Sequence, residues 1–294
     1  MRTIFIGCVE FSCRVLGSLA ASGEGELVGV ITKARSSFSA DFASIEPLAH
    51  EYRVPCFLDV HNDQRAMYLW LNGRAPDVVF CVGWPYLLSP EILSVAPHGV
   101  IGYHPAELPH NRGRHPIIWA LVLGLDETAS TFFRMVVEPD AGPILSKVQV
   151  AIKPEDDART LYDKLMVVAE RQAVDVLRGL KSGTLVPIPQ DLALGNLWRK
   201  RGKPDGLIDW RMNSDSIRNL VRALARPYVG AHCEIRGTEV KVWRVAIAGN
   251  APRNLEPGKV LSIDGQVITV RTGNGALEIL EHEFSRLPVA GEYL

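Results

Sequence analysis

The stretch that decides the fold runs from Gly99 to Gly142 and reads GVIGYHPAELPHNRGRHPIIWALVLGLDETASTFFRMVVEPDAG. A β-branched run ends at His104-Pro105, and a polar Arg-Gly-Arg loop then leads into a helix. About one strand later, Asp140 is followed by Ala-Gly, a composition that favours a tight turn. The pattern predicts His104 at the carboxyl end of one strand and Asp140 in the turn after another. That edge is where open α/β sheets bind their ligands.

Short apolar runs separated by helical stretches surround this segment. Continuous apolar strands of this kind are typical of a parallel sheet covered by helices on both faces. The predicted strands of the first half are Thr3–Gly7, Leu27–Thr32, Val54–Phe57, Asp77–Gly83 and Gly99–Tyr103. A hairpin-like return joins Thr128–Val136 to Pro143–Ile152, and a long amphipathic helix covers Asp156–Leu180. The predicted fold class is α/β, with a Rossmann-like core and a mainly parallel sheet.

The composition changes between Leu185 and Asp205, where prolines and a basic run predict a linker. A short helix is predicted over Ser214–Ala225, followed by alternating strands joined at the turn pairs Asp264-Gly265 and Asn274-Gly275. A small OB-like β-barrel is the natural way to close such strands. The predicted domains are therefore 1–185 for the α/β core, 186–205 for the linker and 206–294 for the C-terminal β domain.

Composition limits the class of protein. The 294 residues are 47% hydrophobic and 22% charged, as in a folded globular protein. The formal net charge of −1 gives no support for nucleic-acid binding, which usually needs a basic face. Five cysteines without a CxxC pair predict reduced thiols and no zinc site.

The start MRTIFIG is interpreted as a strand, and no apolar run approaches the roughly 20 residues of a membrane span. We therefore expect a cytoplasmic protein.

Common cofactor and metal motifs are missing. The turn after the first strand reads Gly7-Cys-Val-Glu-Phe-Ser12, with one glycine where a dinucleotide fingerprint needs GxGxxG. No P-loop, HExxH or EF-hand pattern occurs. Gly7 is therefore interpreted as a tight strand-to-helix turn, and no metal is expected.

The candidate site residues also have ordinary structural interpretations. A single histidine such as His104 is more often structural than functional, and Asp140 suits a turn. The loop around Arg112 and Arg114 is either solvated or binds a phosphate or carboxylate. The aromatic residues of the segment Val82–Leu88 are either core residues or ligand contacts. These alternatives remain open at the level of the residues alone.

Two longer segments carry a resemblance to a known family. HPAELPHNRGRHPIIWAL from His104, followed by EPDAGPIL from Glu138, resembles the folate-dependent formyltransferases. That family includes methionyl-tRNA formyltransferases and N-formyltransferases of nucleotide-linked amino sugars. The likeness continues through KRGKPDGLIDW at Lys200–Trp210 and through Asn219–Ala231, so it covers nearly the whole chain.

The resemblance implies a catalytic trio, Asn-x-His plus a distant Asp. His104 and Asp140 match the last two, whereas Gly102 stands at the position of the Asn. That Asn is taken to donate a hydrogen bond to the formyl oxygen, and loss of one such donor typically costs about 2.7–4 kcal/mol of barrier. Either Asn111 or a backbone N–H replaces it, or the reaction is slower, or the acyl group differs.

The resemblance also implies the substrates. The donor would be 10-formyltetrahydrofolate, held along the segment that contains Trp84, Tyr86 and Leu87 and flanked by Glu138 and Pro139. The acceptor would be a primary amine. His104 would accept its proton or bind the oxyanion, Asp140 would orient the imidazole, and no metal is required.

The choice of amine depends on charge. A tRNA formyltransferase carries a longer basic insertion after its second strand, whereas Lys33–Asp41 is short and rich in serine. Residues 204–294 hold eleven Lys or Arg and eleven Asp or Glu. A nucleotide-linked amino sugar is therefore expected, specifically a 4-amino-deoxyhexose for a surface glycan, with Lys33, Arg112 or Arg114 on its diphosphate. No nucleic-acid or membrane partner is expected, and homodimers are common in such families. Methionyl-tRNA formyltransferase and a non-catalytic folate- or nucleotide-sugar-binding homologue remain the alternatives.

Overall fold

The computed structural model describes residues 1–35, 40–249 and 251–294. They form two compact units. The first comprises Met1–Pro116, Thr128–Val150 and Asp163–Arg199, and the second comprises Ile117–Glu127, Ala151–Tyr162 and Lys200–Leu294.

The first unit is built on a seven-stranded sheet. Its strands and those of a small two-stranded sheet are β1 Arg2–Ile6, β2 Glu26–Thr32, β3 Cys56–Leu58, β4 Val78–Cys81, β5 Val100–His104, β6 Arg112–Gly113, β7 Glu127–Arg134, β8 Ile144–Ala151 and β9 Leu197–Trp198. The order of the large sheet is β3-β2-β1-β4-β5-β7-β8, and β6 pairs with β9. The pairs from β3 to β5 are parallel and β5 pairs antiparallel with β7. The predicted α/β class with a mainly parallel sheet is confirmed.

The helices that accompany these strands are α1 Glu10–Ser22, α2 Glu46–Glu51, α3 Gln64–Asn72, α4 Pro90–Leu93, α5 Pro116–Val122 and α6 Ala158–Ser182. The helices α1 to α4 lie between the parallel strands, as expected for crossover connections, whereas α5 precedes the antiparallel strand β7 and α6 follows β8. The sequence interpretation omits α3 and α4, which are short. Both bury apolar residues against the sheet, in one core cluster that includes Ile4, Ile6, Ile31, Met67, Leu71 and Ile92.

The turn after β1 is tight, as predicted for Gly7. A Cβ at Gly7 would collide with the carbonyl oxygen of Val82 and with the side chain of Ser12. The Ser12 hydroxyl donates to that same carbonyl at 2.6 Å and accepts the N–H of Val9 at 3.2 Å. Only glycine allows this close approach of α1 to the end of β4.

The second unit carries a five-stranded antiparallel sheet and a helix, α7 Ser214–Leu224. Its strands are β10 Ala231–Ile235, β11 Thr238–Gly249, β12 Val260–Asp264, β13 Val267–Arg271 and β14 Ala276–His282, in the order β10-β11-β14-β13-β12. Both predicted turns occur, because Asp264 pairs with Val267 and Arg271 pairs with Ala276. The sequence interpretation omits β10. Closure of this sheet into an OB-like barrel stays a prediction.

The two units divide the chain differently from the predicted ranges 1–185, 186–205 and 206–294. Residues 117–127 and 151–162 group with the second unit, and residues 186–199 group with the first. Part of the reason is Arg222 of α7, whose guanidinium donates to the carbonyls of Lys153 at 3.2 Å and Asp156 at 2.9 Å. The predicted domain ranges stay a prediction.

Burial raises the pKa of every cysteine thiol. The pKa rises to about 12 at Cys8, about 11 at Cys56 and about 12 at Cys233, and it is also raised at Cys13 and Cys81. Because only the thiolate attacks a disulfide reagent, the native protein is expected to react slowly at about pH 8 and faster as the pH approaches 11. All five thiols should react once the chain is unfolded in denaturant. Titration with Ellman's reagent tests this, and a fast native thiol at about pH 8 would contradict it.

Two further properties concern the described ranges. No helix within residues 1–35, 40–249 and 251–294 is both long enough and apolar enough to span a bilayer. Nor do their His, Cys, Asp and Glu side chains form a group of three or more suited to a metal ion.

Candidate active site

His104 is the last residue of β5, and its side chain is buried, with 5% of the residue exposed. Its Nε2 lies 2.8 Å from the carbonyl oxygen of Asn111. A carbonyl oxygen only accepts hydrogen bonds, so Nε2 carries a hydrogen and donates it. In the neutral imidazole, Nδ1 is therefore the unprotonated nitrogen.

Asp140 lies beside that second nitrogen. Its Oδ1 is 3.8 Å from Nδ1 of His104, and its Oδ2 accepts the backbone N–H of Gly113 at 2.9 Å. The backbone of Asp140 has φ = 56°, in the left-handed region that Asp tolerates better than most residues. The strand end and the predicted turn thus bring the two residues together across 36 positions of sequence.

This arrangement is suited to proton transfer. A carboxylate and the lone pair of Nδ1 do not attract one another, whereas a proton on Nδ1 is stabilised by the nearby negative charge. The imidazole can therefore accept a proton at Nδ1 and hold it beside Asp140 without changing its hydrogen bond to Asn111. Such a base must be within reach of a substrate, which requires a binding cleft.

A small cleft lies next to Asp140. It is lined by Leu87, Leu88, Leu93, Phe133, Met135, Val136, Val137, Pro139 and Asp140. Apolar walls with one ionisable group are typical of small-molecule sites. Leu87 and Pro139 were predicted to line such a site. The other apolar wall residues were not, although the run FFRMVV directly before Glu138-Pro139-Asp140 pointed to some of them.

Comparison with known families decides the class. The formyl transferase profile matches residues 20–177, and the formyl transferase C-terminal domain profile matches residues 201–290. The chain belongs to the formyltransferase family.

Solved structures share the fold at low sequence identity. An N-formyltransferase from Helicobacter canadensis, in complex with folinic acid and dTDP-3-aminofucose, has a TM-score of 0.71 at 14% identity and covers 96% of this chain and 99% of its own. A 4-N formyltransferase from Francisella tularensis has a TM-score of 0.64 at 15% identity, covering 81% and 94%. HypX from Aquifex aeolicus, in complex with tetrahydrofolic acid, has a TM-score of 0.66 at 19% identity and covers 97% of this chain. This formyltransferase chain spans only 44% of the length of HypX.

A side chain at Gly102 of this formyltransferase would need Met135 to shift. A Cβ there would lie 2.7 Å from Cγ of Met135 and 3.0 Å from the ring of Phe133. These two side chains therefore fill the space that an amide at position 102 would need. The backbone N–H of Asn111 donates to Oδ1 of Asn196 at 2.7 Å. Replacement of the family amide by Asn111 or by a backbone N–H stays a prediction.

Trp84 and Tyr86 are not among the residues that line the cleft, and they flank Lys33 instead. Its ammonium lies 5.4 Å and 4.9 Å from their ring centroids. Lys33 is 4% exposed, and Nζ lies 2.7 Å from Oδ2 of Asp59, a residue that sequence reasoning missed. The acidic partner compensates the buried cation, so a role for Lys33 on a diphosphate stays a prediction.

Two cationic residues of the β6 loop have different partners. Arg112 Nη1 lies 3.1 Å from Oε1 of Glu138, a predicted cofactor-binding residue whose side chain is 60% exposed. Arg114 is half-buried, and its backbone N–H donates to the carbonyl of Trp198 at 3.1 Å. The predicted loop Lys33–Asp41 includes residues 36–39, which lie outside the described residues.

Proposed function

We propose that this chain transfers the formyl group of 10-formyltetrahydrofolate to the primary amine of a nucleotide-linked amino sugar. The single observation that carries the proposal is the His104–Asp140 pair, 3.8 Å apart beside the apolar cleft. The amine nitrogen attacks the formyl carbon, and the resulting oxyanion collapses as the bond from that carbon to N10 breaks. Nδ1 of His104 takes the proton that the amine loses and passes it to N10 of the leaving tetrahydrofolate, so that the imidazole ends neutral.

The apolar cleft supports the folate part of the proposal. Its walls are mostly apolar, and they include Leu87 and Pro139, two of the predicted folate contacts. Two relatives of the same fold were solved with folinic acid or tetrahydrofolic acid. Trp84, Tyr86 and Glu138 are also predicted folate contacts, and they are not among the residues that line the described cleft.

Charge supports the sugar part of the proposal. Residues 204–294 carry equal numbers of basic and acidic residues, which is a poor surface for a tRNA. The relative from Helicobacter canadensis was solved with a nucleotide-linked amino sugar. Arg112 and Arg114 are the proposed diphosphate contacts near the site, and a 4-amino-deoxyhexose is the proposed sugar.

A second candidate is a homologue that binds these ligands without turnover. The observation that favours it is Gly102, where Met135 and Phe133 occupy the space of an amide donor. Loss of one such donor typically raises a barrier by about 2.7–4 kcal/mol, which leaves slow turnover rather than none if the rest of the site is intact.

The function is tested by incubating the protein with 10-formyltetrahydrofolate and a panel of acceptors. The panel contains nucleotide-linked 3-amino- and 4-amino-deoxyhexoses, the matching sugars with a hydroxyl in place of the amine, and methionyl-tRNA. Tetrahydrofolate release and the mass of the product are measured. We expect transfer to at least one amino sugar and none to the hydroxyl sugars.

Other outcomes would replace the proposal. Transfer to methionyl-tRNA alone, with affinity that falls steeply as salt rises, would overturn the acceptor class. Folate binding without transfer to any acceptor would favour the non-catalytic candidate.

A further inference from the structure

The segment 188–198, which composition predicts to be part of a linker, is docked onto the first unit. Ile188 and Ile144 exchange two backbone hydrogen bonds of 2.8 Å. At the other end, β9 pairs with β6, which directly follows Asn111, the residue whose carbonyl accepts from His104. Between these anchors, two amide side chains reach the two loops of the candidate site.

Gln190 holds the loop of Asp140. Its Nε2 donates to the carbonyl of Asp140 at 2.9 Å and to the carbonyl of Gly142 at 2.6 Å. Its Oε1 is buried and makes no hydrogen bond within the described part of the chain, so the two donated bonds set the orientation of the amide. Gln190 therefore clamps the turn that directs the Asp140 carboxylate at His104.

Asn196 acts on His104 indirectly, through Asn111. Its Oδ1 accepts the N–H of Asn111 at 2.7 Å, and its carbonyl accepts the N–H of Arg112 at 3.2 Å. The carbonyl of Asn111 is the group that accepts from Nε2 of His104. Asn196 therefore fixes the residue that orients the imidazole.

The two held residues share an uncommon backbone conformation. Asp140 has φ = 56° and Asn111 has φ = 63°. A non-glycine residue keeps a left-handed backbone where several surrounding contacts hold it there, and such positions are common at active sites. Each residue receives one of those contacts from the same eleven-residue segment.

We propose that Gln190 and Asn196 are positioning residues for the His104–Asp140 pair. The expected loss of rate rests on the proposed formyl transfer, whereas the expected change in the hydrogen bonding of the His104 ring does not. A displacement of about 1 Å between a catalytic group and its substrate can cost about 100-fold in rate. Loss of either amide is therefore expected to lower kcat by about that factor. KM for folate should change little, because no residue of the segment lines the described cleft.

The experiment uses the full chain and four variants. Asn196→Ala removes the acceptor for Asn111, whereas Asn196→Asp keeps an oxygen there and should restore most of the rate. Gln190→Met removes both donors at similar size. Asp191→Ala is the matched control, because the side chain of Asp191 accepts the N–H of Ala193 at 3.1 Å, a contact within the same segment. kcat and KM are measured for each variant, with thermal unfolding to report on folding.

A second readout does not need activity. ¹⁵N-histidine spectra, with His104 assigned by its absence in His104→Ala, report which ring nitrogen carries hydrogen. The native protein should show the Nε2–H form, and Asn196→Ala should lose this single form.

The outcomes separate the two proposals. Native-like kcat in both Asn196→Ala and Gln190→Met would overturn the positioning roles, as would an equal loss in Asp191→Ala. If the native protein transfers no formyl group, the proposed function fails, and the spectra alone decide: an unchanged His104 signal in Asn196→Ala then overturns the inference, and a changed one upholds it.

Discussion

Replacement of His104 by alanine is expected to lower the rate of formyl transfer by about 10²–10⁴-fold, the usual contribution of a positioned acid–base group. The variant removes Nδ1, which is the atom that faces Asp140 and the only ring nitrogen not already donating to Asn111. Without it, the attacking amine has no placed acceptor for its proton. The measurement is the initial rate of tetrahydrofolate release with the amino sugar that the panel identifies.

His110→Ala is the matched control for this prediction. His110 lies six residues further along the chain, after the end of β5, and it is exposed. Its removal should leave the rate near the native value. Folate affinity should survive in His104→Ala, since His104 is not among the residues that line the described cleft. An undiminished rate in His104→Ala would refute the assignment of the base.

The pair His104–Asp140 was predictable because each residue carries a local signal. A β-branched run before His-Pro marks a strand end, and Asp-Ala-Gly marks a turn. The rule that parallel strands end at a common edge does not account for their proximity, because β7 runs antiparallel to β5 and its last residue, Arg134, lies opposite Ile101. The residues that follow β7 bring Asp140 to His104. What the sequence leaves open is which imidazole nitrogen faces the carboxylate, because that depends on the carbonyl of Asn111 within the fold.

The surroundings of the pair were much less predictable. The cleft takes its walls from separate segments around Leu87, Leu93 and Met135, and apolar residues there are indistinguishable from core residues in sequence. Asp59 follows the three-residue strand β3, where no motif marks it as the partner of Lys33. Pairings of this kind appear only when the chain is folded.

The 188–198 segment shows why composition misleads. Its composition, with one proline and three polar residues, predicts part of a linker. Asn196 nevertheless bonds to a residue 85 positions earlier, and Gln190 bonds to one 50 positions earlier. β9 has two residues, which is too short for any periodicity to reveal. Gly102 is a related case: the sequence shows that the family amide is missing, and only the fold shows that Met135 and Phe133 take its place.

The replacement of Asp140 by asparagine is expected to lower formyl transfer by about 10²–10⁴-fold with little loss of folding stability. Asparagine tolerates the left-handed backbone of this position, and its side-chain oxygen can still accept the N–H of Gly113. Its NH₂ group would then face Nδ1 of His104 and donate to the lone pair that must receive the proton. The negative charge that stabilises the imidazolium is also lost. Initial rates and thermal unfolding are measured together.

Asp140→Ala separates the chemical from the structural role of the carboxylate. Alanine leaves the N–H of Gly113 without its acceptor and is strained at φ = 56°, so we expect a free energy of unfolding about 2–3 kcal/mol lower than that of Asp140→Asn. Glu107→Gln is the matched control for charge. Its Oε1 accepts from Nε2 of Gln149 at 2.8 Å and lies 3.8 Å from Nζ of Lys147, so its charge has other partners and activity should persist. A carboxylate that acts only as a turn residue predicts the opposite pattern, with Asp140→Asn active and Asp140→Ala impaired through folding alone.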